Sequence, residues 1–131
     1  MQQVICAGGI IVNKKGKFLL GKRSEKKEWA PGLWDIPGGH ALKEEHPLLT
    51  LRREIKEETS ISIRNARLLV TMDVPDKADT FFTYHIYVVT AYKGKPYNRS
   101  KEHTKLQWFT REELNSLSIA LPVYLPLIDG L

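Results

Sequence analysis

Cysteine is almost missing from this chain: Cys6 stands alone among 131 residues. One thiol closes no internal disulfide, which excludes a stapled scaffold and fits a reducing cytoplasm. Cys6 itself reads as a small buried hydrophobe. No apolar run approaches the roughly 18 residues that a membrane-spanning helix needs. The opening MQQVICAGGIIV lacks a basic lead and a small-residue cleavage site, so it reads as a strand rather than a signal peptide. His40, His46, His85 and His103 are scattered without HxxxH or Cys/His spacing, so no zinc site is expected and all four are taken as non-ligands. There is no G-x-S-x-G, the elbow that presents a serine nucleophile. Repeats, low-complexity tracts and linkers are absent too, and residues 1–131 are expected to form one domain.

What is present begins with charge. The formal net charge is +5 despite a cluster of glutamates, so the basic excess lies elsewhere, at Lys14, Lys15, Lys17, Lys22, Arg23, Lys26 and Lys27. Such a surface attracts polyanions, nucleotides and nucleic acid among them, without choosing between them.

Residues Val4–Val12 read as a buried strand, Asn13–Gly16 as a turn and Lys17–Arg23 as a second strand completing a hairpin. Ser24–Asp35 is a polar loop with two tryptophans, Trp29 and Trp34, whose rings either stack on a base or pack beneath the loop. A Gly38-Gly39 turn follows Pro37. Ile61–Val74 is a strand broken near Asn65, and Phe81–Tyr92 is a strong β-branched and aromatic strand. Thr104–Phe109 is a short strand; Thr110 with Glu113 forms a capping box opening a helix over Arg111–Leu117, and a last helix covers Pro122–Ile128. Strands, helix, strands, helix predicts an α/β class protein: a mixed sheet sandwiched by helices.

The most informative segment is Gly38–Ile61, GGHALKEEHPLLTLRREIKEETSI. Pro47 suits a first helical turn. Leu48, Leu51, Ile55 and Thr59 recur at helical spacing and make a core-facing stripe. Glu54, Glu57 and Glu58 fall in one arc beside it and are expected to project together, with Arg53 reaching Glu57 one turn on. A charge run is usually a solvated face. Here a glycine pair that lets backbone approach a ligand precedes it, and clustered carboxylates with carbonyls and waters are what Mg²⁺ or Mn²⁺ requires.

This segment resembles the Nudix box, G-x5-E-x7-R-E-U-x-E-E-x-G-U, with U a bulky aliphatic. Gly39 takes the first position, Glu45 the first acid, Arg53-Glu54-Ile55 the R-E-U, Glu57-Glu58 the E-E and Ile61 the last aliphatic. Ser60 stands where the family has its second glycine, which bears on turn geometry more than on chemistry. Many members also carry Glu and Gly where this chain has Leu42 and Glu44. The resemblance implies a Nudix fold, an α/β/α sandwich around a mixed sheet, and hydrolysis of a diphosphate linkage in a nucleoside diphosphate-X. It implies Mg²⁺ or Mn²⁺ held by Gly39, Glu54, Glu57 and Glu58, with Arg53 orienting the glutamates. Glu102 precedes Trp108 at the spacing of a metal-site glutamate in mutator-type members; the alternative is a surface acid in a Lys-rich loop. Glu54 or Glu102 would be the general base. Arg23, Trp34 and His40 are further candidates for substrate contact.

The first choice of substrate is a nucleoside triphosphate, giving a nucleoside monophosphate and pyrophosphate. Mutator-type members read guanine with an asparagine before a C-terminal proline; this chain has Ile119, Ala120 and Leu121 before Pro122, so that preference is not carried over. Pro75 resembles a downstream proline of ADP-ribose pyrophosphatases. Dinucleoside polyphosphates and capped RNA stay open. Outside hydrolysis stand a non-catalytic regulatory Nudix domain and an isopentenyl-diphosphate isomerase. The isomerase uses a cysteine, and Cys6 lies outside its expected position. The protein is expected to be cytoplasmic, off the membrane, and a monomer or homodimer.

Overall fold

The computed structural model describes residues 2–131. Strand β1 (Gln2–Ile11) runs at the centre of a four-stranded mixed sheet. It pairs antiparallel with β4 (Gly38–His40) on one side and parallel with β6 (Thr80–Lys93) on the other, and β5 (Ser62–Pro75) flanks β6 antiparallel. The break expected near Asn65 is present as register shifts at Ile63/Asn65 and Asn65/Ala66. A second, antiparallel sheet sets β2 (Phe18–Arg23) between β3 (Trp34–Asp35) and β7 (His103–Phe109).

Two expectations are corrected. Strands β1 and β2 do not form a hairpin: a single bridge joins Val12 to Phe18 and the strands then part into different sheets. Strand β4 holds Cys6–Gly8 on one edge of β1 and β6 holds Gln2–Ile11 on the other, while β2 is taken up between β3 and β7. Gly38-Gly39 is strand rather than turn, with Gly39 opposite Ala7 and Gly38 opposite Gly8.

Alternation along the strands makes two cores. Cys6, Ile10, Phe18, Leu20, Tyr84 and Ile86 pack on one side with Leu114, Tyr124 and Ile128 from the C-terminal helices α2 (Arg111–Leu114) and α3 (Tyr124–Asp129). Ala7, Ile11, Leu19, Tyr87 and Val89 pack on the other with Leu51 and Ile55 of helix α1 (Pro47–Thr59). Helices therefore cover both sides of the sheets, as the sandwich requires. Helices α2 and α3 are shorter than expected, and the Thr110–Glu113 capping box is complete.

Helix α1 starts where Pro47 predicts, although its cap is a histidine: His46 Nδ1 accepts the Leu48 N–H at 3.1 Å. It ends at Ser60, which adopts a left-handed φ of 71°. A glycine would take that conformation without a Cβ penalty.

Candidate active site

Helix α1 lies against β1 and β4 so that Glu54 faces the glycine strand. A Cβ on Gly39 would come within 2.5 Å of Glu54 Cδ, so the absence of a side chain is what admits the carboxylate. Arg53 organises this corner. Its Nε and Nη2 donate to the two oxygens of Glu45, each at 2.9 Å; Nη1 donates to Glu54 Oε1 at 2.7 Å, and Nη2 also to the His40 carbonyl at 2.9 Å. Glu45 further accepts the Leu42 N–H and the Thr50 hydroxyl. These donors, Arg53 first, hold the Glu45 carboxyl down at about 2. Arg53 also reaches Glu57 Oε2 at 3.5 Å, the contact read from the helix spacing.

The three helix acids do not project together as the arc suggested. Glu57 is outward, its side chain 60% exposed, whereas Glu54 is at 16% and Glu58 at 3%. Glu58 belongs to the buried stripe, one turn beyond Ile55 and two beyond Leu51. Among the described residues neither of its carboxylate oxygens has a hydrogen-bond partner. Burial first, then Glu54 and Glu102, pushes its carboxyl well above the ordinary range; the Gly38 amide pulls the other way without reaching hydrogen-bond geometry. Glu54 is also raised, by burial, against the pull of Arg53.

A cavity of about 490 Å³ lies next to this corner; Glu54, Glu57 and Glu58 are not in its lining, but Gly39, against Glu54, and His103, against Glu58, are. Its lining brings together Gly39, His40, Arg23 and Glu102 from the sequence-derived set. Glu102 is 55% exposed at its side chain and sits 3.6 Å from Lys27 Nζ. Arg23 donates Nε–H to the Trp29 carbonyl at 2.9 Å and lies 5.0 Å over the Trp29 ring. Trp34 lies outside the cavity, its ring edge-on to Phe109 at 4.9 Å. Trp29 is the tryptophan that lines it, edge-on to Phe82 at 5.8 Å.

Several lining groups escaped sequence reasoning. Asp35 is buried, held by the Tyr124 hydroxyl and the Ile36 N–H, and 3.5 Å from Arg23 Nη1; burial raises its carboxyl and those donors oppose the rise. Lys26 and Lys27, named above only as part of the basic excess, and Lys77 bring cationic side chains to the wall, beside the acids Glu28, Asp35, Asp76 and Glu102. His103 is buried with Nδ1 3.6 Å from Glu58 Oε2, and burial depresses it to about 4, so the ring is neutral at pH 7. Its one sequence signal was adjacency to Glu102.

The residues fit a divalent cation. A buried carboxyl with both oxygens unpartnered stays ionised only beside a positive partner, which a divalent cation would supply. Among the described residues no three His, Cys, Asp or Glu side chains form a ready-made cage. Backbone carbonyl and water oxygens would complete the set, as hard cations accept.

Acids packed against a glycine strand, beside a cavity lined by aromatic rings and by charges of both signs, suit a hydrolase of phosphoanhydride bonds. The family model described as "NUDIX domain" matches residues 3–128, and the chain belongs to that family, whose hydrolases generally use divalent metals. It is 36% identical over 95 residues to an 8-oxo-dGTP diphosphatase of Haemophilus influenzae, covering 71% of this chain and 67% of that protein. It is 27% identical over 130 residues to a CTP pyrophosphohydrolase of Escherichia coli, covering 99% and 90%. The crystal structure of a MutT NUDIX hydrolase from Burkholderia pseudomallei superposes with a TM-score of 0.80 at 27% identity, covering 98% of each chain. Among the described residues no helix is long and apolar enough to cross a membrane.

Proposed function

We propose that residues 1–131, acting as one Nudix domain, hydrolyse a nucleoside triphosphate to a nucleoside monophosphate and pyrophosphate with Mg²⁺ or Mn²⁺. The observation that carries this reading is Glu58, buried with no hydrogen-bond partner among the described residues and 3.6 Å from His103, which lines a cavity of about 490 Å³. The relatives named above act on nucleoside triphosphates by their names, which supports the same substrate class here.

Glu54, Glu57, Glu58 and the Gly39 carbonyl would hold the cation, which supplies charge neutralisation and Lewis acidity to a diphosphate. Arg53 keeps Glu54 in place by the 2.7 Å bond and is itself fixed by Glu45. Lys26, Lys27 and Lys77 line the wall where further phosphate charge would lie. Water attacks one phosphorus, the bridging P–O bond breaks, and pyrophosphate leaves. Glu54 or Glu102 accepts the proton of that water. Trp29 and Phe82 offer the apolar faces that a base needs, and Asp35 offers a buried acceptor for its N–H groups.

A panel of nucleoside triphosphates, ADP-ribose and dinucleoside polyphosphates, assayed with Mg²⁺ and with Mn²⁺ and resolved by chromatography, tests the reading. Glu57→Gln is expected to lower turnover by about a hundredfold or more with the fold intact. A variant as active as the parent refutes the ligand assignment, and turnover of ADP-ribose alone refutes the substrate class.

A further inference from the structure

We infer that His103 is a positioning residue for Glu58, one that holds the acid's Oε2 and leaves Oε1 for a cation; this rests on the metal-site reading above. His103 opens β7, and Glu58 lies near the end of α1, so the two meet only in the fold. Their side chains are 6% and 3% exposed, and the Nδ1 to Oε2 distance is 3.6 Å. That is a few tenths of an ångström beyond a hydrogen bond, with no water-sized gap to fill. Among the described residues Glu58 has no hydrogen-bond donor, so the imidazole is the polar side chain best placed to serve it.

The surroundings are built to admit the ring. Gly21 of β2 faces it, and a Cβ there would stand 2.7 Å from His103 Cδ2 and 2.8 Å from Cγ. Any larger residue at position 21 would move the ring. The backbone around it is tied as well: Asn98 Nδ2 donates to the His103 carbonyl at 2.9 Å, and His103 pairs with Arg23 across the sheet. A carboxylate that ligates a metal is usually oriented by a second hydrogen bond, and loss of such a partner commonly lowers metal affinity by about 10–100-fold. In this chain the assignment of that role falls on His103, whose ring makes no side-chain hydrogen bond among the described residues.

The test measures Mn²⁺ binding directly, by electron paramagnetic resonance of the free ion, with turnover beside it. His103→Leu is expected to weaken Mn²⁺ binding by about tenfold or more. His103→Asn, whose Nδ2 falls near the position of Nδ1, is expected to restore most of the affinity; His103→Gln, which places its amide farther out, is not. Gly21→Ala removes no polar group and should weaken Mn²⁺ binding by displacing the ring. Melting temperature is followed throughout, and the Asn and Ala variants decide the matter should the Leu variant fail to fold. Parent-like affinity in His103→Leu, or equal losses in the Leu and Asn variants, overturns the inference. Glu57→Gln measured alongside separates the two failures. Mn²⁺ affinity unchanged there means that the metal-site reading itself is wrong; affinity lost there but kept in His103→Leu condemns only the role of His103.

Discussion

Replacing Ser60 by glycine is expected to stabilise the protein without changing its chemistry. Ser60 caps α1 at φ 71°, where a Cβ crowds the following carbonyl. Holding a non-glycine residue there costs about 1–2 kcal/mol. Glycine removes that cost but gives back about 0.4–1 kcal/mol through a freer unfolded chain. Taken at their midpoints these leave a net gain of about 0.8 kcal/mol, or about 2–5 °C in melting temperature for a domain of this size. No side-chain bond is sacrificed: the capping contacts are the Ser60 N–H to the Lys56 carbonyl at 3.0 Å and the Ser60 carbonyl to Lys56 Nζ at 3.3 Å, both backbone groups that glycine keeps. The assay is equilibrium unfolding in urea with the m-value checked for constancy, supported by calorimetry. Ser60→Ala is the control, since it retains the Cβ and should show no gain. Mn²⁺ affinity and turnover should equal the parent's, because Glu54, Glu57 and Glu58 lie upstream of the cap. A Ser60→Gly protein no more stable than the parent, at unchanged m, would refute the claim that this position is strained.

Three further outcomes follow from the site. Trp29→Ala should raise KM about tenfold with little change in kcat, the effect of losing a ring beside a base; an unchanged KM places the base elsewhere. Glu45→Gln should cost stability at neutral pH. Its folded carboxyl is depressed to about 2 from an ordinary 4.5, so its contribution is complete above the ordinary value and is lost as pH falls toward 2. The stability gap between parent and variant should therefore narrow between pH 6 and pH 3, and a gap independent of pH in that window would contradict the Arg53–Glu45 assignment. Cys6, 8% exposed and pushed up to about 12 by burial first and then by Asp35, should resist iodoacetamide at pH 8 in the folded protein and react in denaturant; alkylation of the native protein at the rate of a free thiol would show that β1 is not packed as described.

Local signals were readable because they act within a turn or two of chain. Pro47 marked the start of α1, Leu51 and Ile55 its buried face, and Thr110 with Glu113 the capping box, and all three are present. Pairing between distant segments was not readable. The hairpin expected from β1 and β2 gives way to strands that come later in the chain: β4 and β6 pair with β1, and β3 and β7 take up β2. The Gly38-Gly39 pair permits a turn, yet its use is close approach: a Cβ on Gly38 would strike the Ala7 carbonyl, and one on Gly39 the Glu54 carboxylate. Asp35 and His103 carry no periodic signal, because what makes them part of the site is contact with Tyr124 and with Glu58, each from another element.

Glu58 lies between these cases. Helical spacing sets it beside the apolar stripe with Glu54 and Glu57, whereas the structure buries it with Leu51 and Ile55. An acid at such a position is destabilising unless something pairs with it, since desolvation disfavours its charged form. Arg53, the guanidinium bonded to its neighbours Glu45 and Glu54, is committed there and leaves Glu58 unpartnered. The neutral imidazole of His103 supplies no positive charge, so on the reading proposed above the charge that balances Glu58 comes from a small multivalent cation. A glutamate in the register of a helix's core residues, close behind a glycine that lets backbone approach, is therefore a sharper sign of a metal site than the number of acids on the helix.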